Sequence, residues 1–125
     1  AGVHETLHTL HAGYDTPVGP QGSNLSLRER RAVSFARAVA GNPKIVVLDE
    51  PEIGLDGASM RRLTSNLEIL KEKGMSLVIA TQDPRLLTLV DKVVVLANGA
   101  VQAVSEADEF GRNQQKRAVV ANDMH

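Results

Sequence analysis

Two short runs, Lys44–Leu48 (K-I-V-V-L) and Ser76–Ala80 (S-L-V-I-A), constrain this chain more than any other feature. Both are apolar almost end to end and rich in β-branched residues. Neither alternates like a strand with one wet face, and each is too short for a helix. They predict strands buried on both faces, as in a parallel sheet. Between them Met60, Leu63, Leu67 and Leu70 recur with helical period, so a helix is expected over Gly57–Lys73, ended by Gly74. A third apolar run, Lys92–Leu96, is followed by Asn98-Gly99, a two-residue hairpin signal, and by a fourth strand over Ala100–Val104.

Upstream, Ser26 with Glu29 three residues on forms a capping box that opens a helix running to about Ala40. Gly41, tolerant of positive φ, closes it, and Pro43 prevents continuation. Ala1–His11 reads as a short helix, and Ala12–Asn24, rich in Gly and Pro, as a loop without regular structure. A short helix is expected over Pro84–Leu89 and a helical turn over Ser105–Phe110. Strand, helix, strand, helix, strand is the order of an α/β domain, a parallel sheet flanked by helices. The 125 residues make one domain, 1–110, with 111–125 as a loose tail.

Composition excludes several classes of function. There is no cysteine, hence no thiolate metal site and no cysteine nucleophile. With 14 basic and 15 acidic residues the net charge is −1, which gives no electrostatic case for nucleic acid as a partner. No apolar run is long enough to span a bilayer, and no signal peptide is visible, so a cytosolic location is the default.

In parallel sheets ligands bind beyond the carboxyl ends of the strands. The first strand ends on Asp49-Glu50-Pro51, the second on Thr81-Gln82-Asp83. Asp49 is placed to hold Mg²⁺ through water, since that ion keeps part of its hydration shell. Glu50 is placed to orient or deprotonate an attacking water. Taken alone, two carboxylates at a strand end read more simply as solvated loop charges.

Their context resembles the second half of an ABC-type ATPase cassette. Leu25-Ser26-Leu27-Arg28-Glu29 stands where that family has its L-S-G-G-Q signature. Ala36-Arg37-Ala38, the strand Ile45–Leu48 with Asp49-Glu50-Pro51, and Leu55-Asp56 follow in the family's order and spacing. Val78–Asp83 sits where the family has the strand leading into its switch histidine. Ala1–Glu5, and Gly13-Tyr14-Asp15-Thr16 with Gly19, are similar to exporter cassettes of type I protein secretion.

The resemblance implies a P-loop NTPase-like fold, ATP and Mg²⁺ as cofactors, and export of a peptide or protein across a membrane. It implies Asp49 as the Walker B carboxylate, bound to Mg²⁺ through water, and Glu50 as catalytic base, with Gln82 at the switch position. Leu25, Ser26, Leu27, Arg28 and Glu29 would face the γ-phosphate of a nucleotide held by a second cassette, in a homo- or heterodimer. Asp56 would be the D-loop aspartate at the dimer interface. The other partner implied is the exporter's transmembrane domain, at the cytoplasmic face of the membrane.

The departures are equally specific. No G-x-x-x-x-G-K-[ST] occurs, so the phosphate-loop half of the cassette is lacking. In the family that half supplies the strand between the second and third strands here. The chain is therefore expected to be part of a longer protein or to be completed by another polypeptide. Leu27 and Arg28 replace the signature glycines, Glu29 its glutamine, Gln82 the switch histidine, and Ile53 the D-loop serine.

Other readings remain open at this point: a cassette that has lost catalysis and serves as a dimerisation or regulatory module, an SMC or DNA-repair ATPase head, and a zinc peptidase. The last rests on His4-Glu5-Thr6-Leu7-His8, literally H-E-x-x-H, with His11 one turn on. No third-ligand pattern of zinc peptidases follows it.

Overall fold

The computed structural model describes residues 10–113 together with His4 and His8, and divides between Gln82 and Asp83 into two compact units. Most of the expected helix over residues 1–11, and the tail beyond residue 113, lie outside the described residues.

The first unit runs α1 (Leu27–Val39), β1 (Ile45–Asp49), α2 (Gly57–Glu72) and β2 (Ser76–Ala80). The capping box forms in full: Ser26 Oγ accepts from the Glu29 N–H at 3.3 Å, and the Glu29 carboxylate accepts from the Ser26 N–H at 2.6 Å. At the other end of α1 it is Asn42, not Gly41, that takes the left-handed conformation, with φ of 47°. Asparagine tolerates that region because its side chain is short and polar.

β1 and β2 are parallel and in register from Ile45–Ser76 to Asp49–Ala80. The ladder extends past both ends, with the Ser76 N–H on the Lys44 carbonyl and the Glu50 N–H on the Ala80 carbonyl, each at 2.8 Å. The helical stripe is buried as its period predicts: Met60, Leu63, Leu67 and Leu70 all point inward. With Val46, Leu48 and Leu25 they make the aliphatic core.

The strands differ from expectation in one respect. Only one face of β1 is buried; Ile45 and Val47 are 61% and 68% exposed, and Val78, opposite Val47, is 54% exposed. Paired residues of a parallel ladder share a face, so one side of this small sheet is apolar and bare. Parallel sheets are normally covered on both sides. The loop before α1 also holds more structure than expected: two 3₁₀ turns, Gly13–Asp15 and Pro20–Gly22.

In the second unit the short helix over Pro84–Leu89 is a 3₁₀ helix, burying Leu86 and Leu89. Asp83 caps it, and hydrogen bonds and charge from Arg85 hold the Asp83 carboxyl at a pKa of about 2. β3 (Lys92–Ala97) and β4 (Ala100–Glu106) pair antiparallel around Asn98-Gly99, both with positive φ, as a tight hairpin requires. β4 runs two residues past the expected Val104, and residues 107–113 are helical, so the helical segment starts later than Ser105 and continues past Phe110. Val94, Leu96, Val101 and Val104 are exposed on this hairpin. The parallel sheet thus has two strands, and β3 belongs to a separate sheet. Among the described residues no helix is long and apolar enough to cross a membrane.

Candidate functional site

The apolar strand β1 delivers Asp49 and Glu50 to its carboxyl end, and register places that end beside the tip of β2, where Thr81 and Gln82 follow. Glu50 then turns the chain with φ of 43°, a left-handed conformation that costs a non-glycine residue of order 1 kcal/mol or more. Its main-chain carbonyl accepts two hydrogen bonds, from Arg31 Nη1 at 2.8 Å and from the Ile53 N–H at 3.3 Å. The Thr81 hydroxyl donates to the Glu52 carboxylate, tying the tip of β2 to the turn that follows the acidic pair.

Asp49 is exposed and opens onto a cleft of about 530 Å³ lined also by Arg28, Arg31, Phe35, Leu55 and Arg62. An exposed carboxylate beside a basic cleft suits a hydrated Mg²⁺ that takes its remaining ligands from water and phosphate oxygens. Mg²⁺ bound there would neutralise phosphate charge, and Asp49 is the residue that would hold it.

The other candidates are placed as follows. Leu25 is buried beneath the start of α1, while Ser26, Leu27 and Arg28 are exposed at it. Glu29 sits on the Ser26 N–H. Hydrogen bonds from Ser26, the backbone N–H first, hold its carboxyl below the usual range, so it stays ionised. A helix N-terminus attracts anions through its free N–H groups and positive dipole. Here one of those donors already meets a carboxylate of the same chain. Asp56 is the N-cap of α2, accepting from the Ser59 N–H at 2.7 Å, and that bond lowers its pKa. Gln82 is exposed past β2.

Arg31, Glu52 and Thr81 were not singled out by sequence as site residues. Arg31 is one of four arginines on α1, where solvated charge is the simplest expectation. Glu52 and Thr81 each lie just past the tip of a parallel strand, and that adjacency is the signal that could have found them. For the H-E-x-x-H segment, the His4 ring meets the Tyr14 hydroxyl at 2.9 Å. Glu5 lies outside the described residues, among which no group of three or more His, Cys, Asp or Glu is placed to hold a metal.

No family model matches the chain. It is 34% identical over 115 residues to the type I secretion system ATP-binding protein PrsD of Rhizobium meliloti, covering 92% of this chain and 19% of that protein. It is 38% identical over 127 aligned positions to the ATP-dependent lipid A-core flippase of Saccharophagus degradans, covering 100% of this chain and 21% of the flippase. Among solved structures it is similar to a bacterial Atm1-family ABC exporter with ATP bound, with a TM-score of 0.74 and 26% identity over 88% of this chain and 19% of the exporter. The chain therefore spans about a fifth of the length of these relatives.

Proposed function

This chain belongs to the ABC transporter ATP-binding proteins, whose cassette it matches in its C-terminal half, and on that premise we propose that it supplies the hydrolytic half of an exporter's ATP site. The observation that carries this reading is the in-register pair of parallel strands whose shared end presents Asp49 and Glu50. In the whole protein Asp49 would hold Mg²⁺ through water, and Glu50 would take a proton from the water attacking the γ-phosphate. Ser26, at the start of α1, would face the nucleotide of a second cassette. Phosphate contacts would hold the two cassettes closed, and hydrolysis would release them.

The bare apolar side of β1 and β2 and the exposed valines of the hairpin support a further part of the reading. A polypeptide segment carrying the phosphate loop completes this half, either in the same protein or in another. The membrane domain of the exporter and a location at the cytoplasmic membrane face belong to the same proposal. The similarity to PrsD supports a part in type I secretion, and a peptide or protein as cargo belongs to the same proposal.

The test is ATP hydrolysis by the full-length protein. Turnover that stops when Mg²⁺ is chelated supports the proposal. Turnover that is absent, or indifferent to chelation, counts against it.

A second reading, a cassette that has lost catalysis and serves as a dimerisation or regulatory module, is favoured by Glu29 on the helix N-terminus. Turnover by the full-length protein separates the two, and where there is turnover Glu29→Gln tests the charge at the helix start. Glutamine keeps the capping box and removes the charge, so the KM for ATP should fall about two- to fivefold, as expected for relieving one unfavourable charge at a helix terminus. Steady-state kinetics of the full-length variant checks this, and an unchanged KM means that Glu29 does not face phosphate.

A further inference from the structure

The Glu50 carbonyl is held from outside its own segment by a side chain of α1. Arg31 lies five residues into α1 from the Ser26 cap, and its Nη1 donates to the Glu50 carbonyl at 2.8 Å across nineteen residues of sequence. Among the described residues the other donor to that carbonyl, the Ile53 N–H, is longer at 3.3 Å and belongs to the turn itself. Glu50 has φ of 43°, a conformation that persists only where the surroundings over-determine it. Arg31 is partly buried, so its hydrogen bond is shielded from water.

We propose that Arg31 is a positioning residue: by pinning the Glu50 carbonyl it fixes the direction of the Glu50 side chain, and through α1 it links that carboxylate to the helix start at Ser26. This rests on the reading of Glu50 as the base. In a dimer of cassettes, Ser26 addresses one nucleotide and Glu50 the other. A single rigid helix then touches both sites, and a shift of its N-terminus is passed to the catalytic turn through one hydrogen bond. The proposed effect of Arg31 is on geometry, through the Glu50 carbonyl.

The experiment compares Arg31→Met, Arg31→Lys and Glu50→Gln in the full-length protein by two measurements. In steady-state ATP hydrolysis, Arg31→Met is expected to lower kcat about tenfold or more with KM within about twofold, because misplacing a catalytic group acts on the transition state. Arg31→Lys, which can still donate to the carbonyl, retains most of the rate. In backbone amide exchange over residues 49–56, Arg31→Met should exchange about tenfold faster than wild type and Arg31→Lys close to it, as loss of a local constraint predicts.

A kcat unchanged in Arg31→Met, beside a Glu50→Gln variant that is inactive, overturns the role of Arg31 and leaves the base intact. Equal losses in Arg31→Met and Arg31→Lys also overturn it. Equal rates for wild type and Glu50→Gln overturn the underlying reading instead. In that case amide exchange alone decides whether Arg31 holds the turn, and unchanged exchange in Arg31→Met denies even that.

Discussion

Glu50→Gln in the full-length protein should lower kcat for ATP by about two to four orders of magnitude, the range in which a positioned general base contributes. The substitution preserves the shape of the side chain and its turn. The Glu50 N–H still reaches the Ala80 carbonyl, and the Glu50 carbonyl still accepts from Arg31, because both bonds are made by main chain. What is removed is an acceptor able to take a proton from water. ATP should bind no more weakly than to wild type, since a neutral amide beside a triphosphate lacks the repulsion of a carboxylate. Phosphate release under single-turnover conditions separates the two effects. A variant with the wild-type rate would mean that hydrolysis at this site does not depend on Glu50.

The largest effect on folding is expected at Leu67, which is 0% exposed at the centre of the α2 stripe. Leu67→Ala truncates a fully buried side chain of the stripe that it shares with Met60, Leu63 and Leu70. Deletions of this kind cost about 2–5 kcal/mol, from lost transfer energy and from the cavity left behind. Ile69, on the same helix but 44% exposed, serves as the control, and Ile69→Ala should cost well under half as much. Denaturant unfolding of both variants measures the difference. Equal losses would mean that α2 does not pack through the stripe its sequence displays.

Periodicity made α2 legible to within one residue of its C-terminal end, because a stripe repeating every three to four positions has one helical solution. The capping box at Ser26 and Glu29 was legible for a similar reason: it is a local bond pattern written in adjacent residues. The hairpin at Asn98-Gly99 needs two positive φ values in succession, and few sequences supply them so readily.

The burial of β1 was not legible. Ile45 and Val47 have the composition of a doubly covered strand, but whether a second layer covers them depends on residues other than those described. Sequence composition reports what a strand is suited to, and exposure reports what is present. The site divides in the same way. Asp49, Glu50 and the helix start at Ser26 follow from motif order along the chain. Arg31 does not, because its partner is a main-chain carbonyl nineteen residues away, which leaves no mark on the sequence of the helix. The occupation of the Ser26 N–H by Glu29 lies between the two: the capping box predicts the bond, and its geometry puts a carboxylate at the start of α1.

The account depends on a triphosphate meeting the carboxyl end of β1. A structure of the full-length Glu50→Gln protein with MgATP measures this most directly. The predicted result is a metal ion one water away from Asp49, residue 50 one water away from the γ-phosphate, and Ser26 turned toward the nucleotide of the other cassette. Nucleotide bound elsewhere, with Asp49 and residue 50 facing solvent, would contradict it.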